Sequence, residues 1–494
     1  MAFSGAPNTE HLILVRLSAE LTTKARGTRR RFTRKLVENV RDALRESGSP
    51  FHVESQWTRL YVRSEAPDAL QRLQRVPGLS SMSRVEGSCA ADLEEIVRVG
   101  QQIYGERVKG RTYAVRAKRT GTHPFSSHDV QQQLGAALNP GAKVNLDNPE
   151  IEVEVEIRDR VALFFSHRTP GLGGLPLGVE GKAVCLLSGG FDSAVAAWLM
   201  LKRGVEQDYV FCNLAGESYE RSVVQVAKVL ADNWSYGTRP RLHVVDFGPV
   251  LDALRAGSQP KYWQVVLKRL MYRAADHIAR EVGAGALVTG EALGQVSSQT
   301  LANLAAIDGA SRTVVFRPLL GFDKAEIVDR ARRIGTFEIS ARVKEYCAIA
   351  PGNPVTHASA EAAASEEATV DPTPLARAVS ERKVIDLQTL NTADLVDAYL
   401  YTDELPEDAV VIDVRAPGEG DPWQYPGALR GSSWDIARKI REMDPERIYV
   451  LYCDAGLQAV LLAEQMQRAG LDAFAFRGGT RALKALTGAG ANSA

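Results

Sequence analysis

The 494-residue sequence contains only five cysteines: Cys89, Cys185, Cys212, Cys347 and Cys453. Their number is odd, their spacing is wide and no two form a C-x-x-C pair. That excludes a disulfide framework and a cysteine-rich zinc site, and no resident metal is expected. A cysteine that matters here acts through its own reactivity. No apolar run approaches the roughly 20 residues that span a bilayer. The opening stretch, MAFSGAPNTEHLILVRLSAE, lacks the charged start and long apolar core of a signal peptide. A cytoplasmic location without a membrane partner is therefore expected. Net charge is also missing, since 60 Lys and Arg balance 60 Asp and Glu. The protein is not a bulk polycation, but its charge is unevenly placed. Residues 1–170 carry 26 basic against 20 acidic side chains, 171–354 carry 21 against 18, and 355–494 carry 13 against 22. A basic front and an acidic tail suggest different partners.

The length predicts about three or four domains. HLILVRL (His11–Leu17) reads as a strand, and 28–45 as a helix with Phe32, Leu36, Val37, Val40 and Leu44 on one face. The other face is dense in cations: Lys24, Arg26, Arg29, Arg30, Arg31, Arg34 and Lys35. Short strands at 51–55 and 59–63 and a helix near 67–75 complete a small α+β unit. A second such unit follows Cys89: helix 91–104, strand 112–118, helix 127–138, and strands 151–158 and 160–166. In IEVEVEIR, Glu152, Glu154 and Glu156 alternate with apolar residues, which predicts a half-buried strand. The Gly- and Pro-rich stretch 167–181 reads as a linker. Apolar strands near 183–187, 209–214, 242–247, 286–289 and 313–316 then alternate with helices, the pattern of a doubly wound parallel sheet. The polar stretch 356–374 (THASAEAAASEEATVDPTP) reads as a second, mobile linker. A last α/β unit follows, with VVIDV, IYVLYC and AFAF as strands and helices at 434–442 and 459–469.

The strongest local signal is AVCLLSGGFDS running into AVAAWLMLKRG. A buried strand enters a turn, Ser188-Gly189-Gly190-Phe191-Asp192-Ser193, and then a helix. Backbone N–H groups of such a turn converge on one anion, and the positive end of the helix dipole favours it. The glycines let backbone approach ligand closely. Ser188 and Ser193 add hydroxyl donors, and Asp192 is placed to position magnesium (Mg2+). There is no G-x-x-x-x-G-K-[ST], so this is not a Walker loop. The motif resembles the PP-loop of N-type ATP pyrophosphatases, which split ATP between its α- and β-phosphates and adenylate a carbonyl oxygen. Later segments fit the same site: Lys268 with its neighbours Arg269 and Arg273 in VLKRLMYRAA, the polar turn TGEALGQVSSQ (289–299), and Arg317 and Asp323 after the next strand. On spacing alone, each reads equally well as a solvated charge or a helix cap.

Cys453 ends the strand IYVLYC and opens CDAGLQA, which leads into a helix. A thiol at a helix N-terminus has its thiolate stabilised, and the turn can cradle a persulfide anion. With VVIDVR (410–415), YPGAL (425–429) and FRGG (476–479), this region resembles a rhodanese domain. Gln458 stands where a typical rhodanese loop has Arg, which favours a persulfide-donating protein over thiosulfate. Cys347 lies in KEYCAIAPGNP, which Pro351 and Pro354 mark as a loop, where a thiol is open to exposure. Cys89, Cys185 and Cys212 read as structural.

Taken in order, LTTKARGTRRRFTRKL, CLLSGGFDS, VLKRLMYRAA, TGEALGQVSSQT, EYC and YVLYCDAG resemble the tRNA 4-thiouridine synthetase family (tRNA uracil 4-sulfurtransferases), in its long form with a C-terminal rhodanese domain. The resemblance implies an α/β multidomain chain. Its parts are a ferredoxin-like domain at 1–62, an RNA-binding THUMP domain at 63–168, a PP-loop ATP pyrophosphatase domain at 176–355, a linker at 356–390 and a rhodanese-like domain at 391–494. It implies ATP contacts at Leu186, Leu187, Lys268, Gly290 and Gln299, besides the loop from Ser188 to Ser193. It implies Cys453 as persulfide carrier and Cys347 as the residue that forms a disulfide with it during turnover. The implied reaction converts uridine at position 8 of tRNA to 4-thiouridine through an O4-adenylate. A cysteine desulfurase supplies the sulfur and a thiol reductant restores the enzyme. The cations of 24–35, with Lys118 and Arg119, would hold tRNA phosphates. Sulfur transfer to the carrier protein of thiamine thiazole synthesis is a second implied role, and a homodimer is left open. Two other classes compete on the residues alone: an ATP-dependent ligase or amidotransferase acting on a small molecule, and a non-catalytic RNA-binding sulfur carrier.

Overall fold

The computed structural model describes residues 11–56, 58–214, 217–341, 353–390, 400–406, 408–415, 422–454 and 457–487. The chain divides into two compact units, 1–175 and 176–494. Among the described residues, no helix is long and apolar enough to cross a membrane.

The first unit holds two five-stranded sheets. In one, His11–Leu17 lies between Arg59–Ser64 and Leu79–Arg84, with Phe51–Gln56 and Thr169–Pro170 at the edges, all antiparallel. The helix Arg26–Arg45 buries Phe32, Leu36, Val40 and Leu44 at four-residue spacing, so one stripe faces the core and the cations face out. Each such side chain contributes roughly 1.5–3 kcal/mol. In the other sheet, Thr112–Thr120 runs parallel to Ile151–Arg158, with the helix Ser127–Leu138 between them in sequence, over a core that includes Tyr104, Tyr113, Leu134 and Phe164.

Three expectations are corrected here. Leu79–Arg84 belongs to the first sheet, and a boundary at 62/63 would cut through Arg59–Ser64, so the break falls near residue 86. The stretch 167–181 is not merely a connector. Thr169–Pro170 pairs with Leu79–Arg84, and a Cβ at Gly171 would sit 2.4 Å from the Leu79 carbonyl oxygen, so glycine is required there. Of the carboxylates of Ile151–Arg158 only Glu152 is exposed; Glu154 and Glu156 are buried. Glu156 is 3% exposed and accepts from Arg16 Nε (3.2 Å), Arg59 Nε (2.8 Å) and Arg158 Nε (2.6 Å). Desolvation raises its pKa, but the three guanidinium groups outweigh that and hold the carboxyl below its ordinary value. A period of two marks two unlike faces but does not say what covers the polar one. Cys89 lies in a strand, Gly87–Ala90, and burial pushes its thiol up to about 12.

The second unit carries a six-stranded sheet ordered Val314–Phe316, Ala286–Val288, Lys182–Leu186, Glu206–Asn213, Arg241–Asp246, Lys383–Asp386. The first five strands are parallel and the last is antiparallel. Its near-continuous apolar strands are covered by helices such as Phe191–Lys202 and Trp263–Glu281. The sixth strand overturns the expected linker. Residues 356–390 form the helices Ala360–Ala368 and Thr373–Ser380 and this edge strand. Ala358 and Ala363 are buried, and Glu367 receives both Arg269 and Arg273. Val370, Val379 and Leu387 are buried as well, so a few scattered apolar residues and the Arg269–Glu367 pair dock a segment whose composition looks solvated.

A second, five-stranded all-parallel sheet is ordered Tyr401–Thr402, Asp472–Phe476, Ile448–Tyr452, Val410–Asp413, Leu429–Arg430. The helices Ser433–Lys439, Leu457–Arg468 and Gly479–Leu486 accompany it.

Candidate active site

The chain order of the six-stranded sheet reverses at Lys182–Leu186. The chain proceeds from that strand through Glu206–Asn213 to Arg241–Asp246 on one side, then returns to Ala286–Val288 on the other. The carboxyl edge at such a switch point is where open α/β sheets bind ligands. Two turns leave this edge side by side, Ser188–Ser193 and Thr289–Gln299.

The first turn is built by its own residues. Gly189 takes φ +77°, a conformation that favours glycine. Gly190 is the N-cap of Phe191–Lys202, so the first N–H groups of that helix have no partner within it. Ser193 Oγ accepts from Ser188 N (3.1 Å), donates to the Gly190 carbonyl (3.2 Å) and lies 3.2 Å from Ser188 Oγ. The second turn presses against the first: a Cβ at Gly290 would stand 2.5 Å from Ser193 N.

Between them lies a cavity lined by Leu186, Leu187, Ser188, Gly190, Asp192, Ser193, Lys268, Gly290 and Gln299. The implied ATP contacts are therefore gathered on one surface, save Gly189, which shapes the turn, and Phe191. Phe191 stacks on Phe337 with ring centroids 5.3 Å apart. Lys268 reaches the cavity from Trp263–Glu281. Cys212 also lines it. Burial pushes that thiol up, and Lys268 only partly opposes the effect. Cys185 is fully buried in mid-strand.

Asp192 Oδ1 pairs with Lys324 Nζ (2.9 Å), and its Oδ2 accepts from Gln295 Nε2 (2.9 Å). Among the described residues, no cluster of three His, Cys, Asp or Glu side chains could hold a metal. Both Asp192 oxygens are thus engaged, so Asp192 would have to share or leave Lys324 or Gln295 to help hold a magnesium ion whose other ligands are nucleotide oxygens.

Three residues that the sequence offered to this site lie away from it. Arg269 and Arg273 turn to Glu367, and Asp323 is spent as the N-cap of Lys324–Ile334. A fourth, Arg317, is bound by Glu291 (2.9 Å) and Asp308 (2.8 Å). In exchange the structure reveals Glu291, buried at the cavity wall, accepting from Tyr272 and Thr289 as well as Arg317. Burial and the Glu291 carboxylate push the Tyr272 phenol up. In the sequence Glu291 is only one letter of a polar turn, because two of its three partners come from other elements.

Cys453 ends Ile448–Tyr452 and is 3% exposed. The accompanying motifs converge on it. Gly479, at φ +58°, has no room for a Cβ, which would sit 2.2 Å from the Cys453 carbonyl oxygen, and Thr480 N donates to that oxygen (3.2 Å). Arg415 donates to both oxygens of Asp413 (2.8 and 2.7 Å) and to Asp454 (3.0 Å). Tyr452 Oη accepts from Tyr425 N (3.0 Å). Gln458 is exposed. Cys347 lies outside the described residues.

On Arg26–Arg45 and just before it, Lys24, Arg26, Arg30, Arg31 and Arg34 are exposed or partly so, and Arg29 and Lys35 are half-buried. Arg26, Arg29, Arg30, Arg34 and Arg41 line a shallow groove with Ser55. The second cation group is more occupied. Arg116 pairs with Glu152 (2.9 Å), and Arg119 donates to the Gly121 carbonyl (3.0 Å) and meets His123 (3.3 Å), leaving Lys118 exposed.

Comparison with known proteins agrees with this layout. The family described as Thiamine biosynthesis protein (ThiI) matches residues 178–371, the THUMP domain 90–166 and the ThiI ferredoxin-like domain 12–83. A tRNA sulfurtransferase of Desulfurococcus amylolyticus is 39% identical over 470 residues, covering 94% of this chain and 97% of its own. One from Pyrobaculum aerophilum is 36% identical, covering 94% and 96%. A solved 4-thiouridine synthetase–RNA complex with bound ATP superposes with a TM-score of 0.67 at 33% identity, covering 76% of this chain and 99% of its own. With relatives matched almost end to end, this chain belongs to the ThiI family of tRNA sulfurtransferases.

Proposed function

We propose that this sulfurtransferase makes 4-thiouridine at position 8 of tRNA, using ATP to activate O4 and a persulfide on Cys453 as sulfur source. The observation that carries the reading is the single cavity at the sheet's switch point, where the SGGFDS turn, Lys268, Gly290 and Gln299 meet. The uridine O4 attacks the α-phosphorus of ATP, pyrophosphate leaves and the N3 proton passes to solvent. The N–H groups of 189–193 and the Lys268 ammonium hold the charge that develops on the departing pyrophosphate. A magnesium ion bound through Asp192 and the phosphates would lower that charge further. AMP is then a far better leaving group from C4 than oxide.

A cysteine desulfurase loads Cys453 as Cys453–S–SH. In one route the outer sulfur attacks C4 and AMP departs. Cys347 then attacks Cys453 Sγ, and the S–S electron pair leaves on the sulfur at C4. In the other, Cys347 attacks first and frees hydrosulfide, which displaces AMP. Either way two thiols lose two electrons and end as a Cys347–Cys453 disulfide, which an external thiol reduces. The groove along Arg26–Arg45 supports contact with RNA phosphates. The thiamine wording of the matched family supports a second role, sulfur delivery to a carrier protein of thiazole synthesis.

The test is mass spectrometry of tRNA from cells carrying the parent, Cys453→Ser or Cys347→Ser. 4-Thiouridine is expected in the parent alone, and its persistence in both variants would overturn the reading.

A further inference from the structure

Glu291 lines the nucleotide cavity, is 3% exposed and divides its two oxygens unequally. Oε2 accepts from the Tyr272 hydroxyl, from Thr289 Oγ1 (3.0 Å) and from Arg317 Nε (2.9 Å). Among the described residues, Oε1 has no hydrogen-bond partner. Tyr272 comes from Trp263–Glu281 and Arg317 follows Val314–Phe316, so separate elements hold one oxygen and leave the other to what enters the cavity. Burying a carboxylate oxygen without a donor is costly, so Oε1 needs one from a ligand. An ionised carboxylate accepts only, and it repels phosphate. Arg317 already balances its charge, so the donor it lacks is a neutral N–H or O–H.

Strand order narrows the choice of donor. Thr289, Gly290 and Glu291 follow Ala286–Val288, on one side of Lys182–Leu186. Phe211, Cys212 and Leu214 belong to Glu206–Asn213 or follow it, on the other side. Two strand spacings, roughly 10 Å, separate these walls, and the phosphate turn leaves the strand between them. The apolar wall suits the adenine ring, the central turn the phosphates, and the Glu291 wall the second reactant. We propose that Glu291 Oε1 accepts the N3–H of the uracil being activated. That contact directs O4 to the α-phosphorus and tells uracil from cytosine, whose N3 carries no hydrogen. The inference rests on the reading of this cavity as the place where O4 is adenylated. N3 is bonded to C4, so a group that holds N3–H stands beside the reacting oxygen. The N3–H electron pair moves into an N3–C4 π bond, the C4–O4 π pair forms the O4–P bond, and the P–O pair leaves with pyrophosphate. The proton crosses to Oε1 and from there to solvent. The ribose hydroxyls of ATP are the competing donors.

The experiment uses the full chain with ATP and a tRNA transcript carrying uridine or 5-fluorouridine at position 8. Single-turnover pyrophosphate release and the Kd for ATP are measured separately. In Glu291→Gln the three donors to Oε2 hold the amide oxygen, so the NH2 group meets N3–H head-on. Pyrophosphate release should fall about 100-fold, with the Kd for ATP within about twofold of the parent. Raising the pH through the pKa of the uracil N3–H should recover much of the loss, because a deprotonated N3 accepts from that NH2 group. 5-Fluorouridine, whose N3–H is more acidic, should bring the recovery to lower pH. The other titratable or charged groups that face Glu291 or share its cavity are Tyr272, Arg317, Lys268, Asp192 and Cys212. None of them carries the fluorine, so a shift of the recovery with the base identifies the uracil. Glu291→Asp keeps a charge for Arg317 and so guards against a folding failure. Its shorter side chain withdraws Oε1, and release should fall about tenfold. A weakened Kd for ATP with no change in the pH response assigns Glu291 to the ribose and overturns the proposal, as does parent-like release in both variants. If the parent itself releases no pyrophosphate with the uridine transcript, the functional reading fails instead.

Discussion

The phosphate turn and the Cys453 turn are built on one scaffold and do opposite things with it. Each leaves the carboxyl end of a parallel strand and leads to a helix, so each sits where N–H groups favour an anion. Each is braced by a glycine with no space for a side chain, Gly290 against Ser193 N and Gly479 against the Cys453 carbonyl. The phosphate turn is open: Ser188 is exposed, and the cavity beside it is lined by five elements besides the turns. At the other turn the Cys453 thiol is buried, and Arg415 links Asp413 to Asp454. On the proposed reading the two turns share a strand-to-helix position, and what stands around each decides whether it takes a triphosphate or holds one sulfur atom.

The sharpest way to break this comparison is to disable one turn and read out the other. Cys453→Ser should abolish 4-thiouridine while leaving single-turnover pyrophosphate release from ATP at the parent rate. Asp192→Ala should lower AMP formation on the order of 100-fold while persulfide loading of Cys453, seen as a mass increment of one sulfur atom, continues. If either variant silences both readouts, the two turns are not separate sites. Next in size are the bracing glycines. Gly290→Ala should cut AMP formation about tenfold by forcing the two cavity turns apart. Gly479→Ala should leave single-turnover pyrophosphate release intact and lower the stability of the C-terminal sheet by about 1–3 kcal/mol, because its positive φ adds strain to the clash.

The smallest effect is an acid titration that separates the two sheets. Asp208, fully buried on the strand Glu206–Asn213 of the nucleotide sheet, faces Lys182 (2.9 Å), Arg241 (3.1 Å) and His243 (3.7 Å). Desolvation works to raise its pKa, yet the bonds from His243, Lys182 and Arg241 prevail and bring it from 3.8 to about 2. A depressed folded pKa contributes stability that is whole above the ordinary value and disappears as pH falls through the folded one. On the order of 2 kcal/mol should therefore be lost from the nucleotide domain between about pH 4 and pH 2. Asp208→Asn should flatten that slope in chemical-denaturation curves and leave the C-terminal sheet unchanged.

What could be read from the residues alone depended on whether a signal was local. The helix Arg26–Arg45, the strand Ile151–Arg158 and the turn SGGFDS were legible because periodicity, glycine placement and strand–turn–helix order are written within a dozen neighbouring letters. The docking of Ala360–Ala368 was not, because its anchors, Arg269 and Arg273, lie over ninety residues upstream. The same distance hid the Glu156 cluster, in which Arg16 and Arg59 turn an apparently solvated face into a buried ionic one. A shorter gap, 26 residues, concealed that Arg317 serves Glu291 rather than a nucleotide.

By itself the order of amino acids determined the kinds of chemistry present: an anion-binding turn, a thiol at a strand end and a cationic helix face. Those follow from backbone conformation and side-chain type, which act over a few residues. Only the tertiary structure decided which charges are free to meet a ligand and which are consumed in holding the molecule together. A guanidinium or carboxylate commits to whichever partner folding brings within about 3 Å, and proximity across the chain is not a property of any segment read alone.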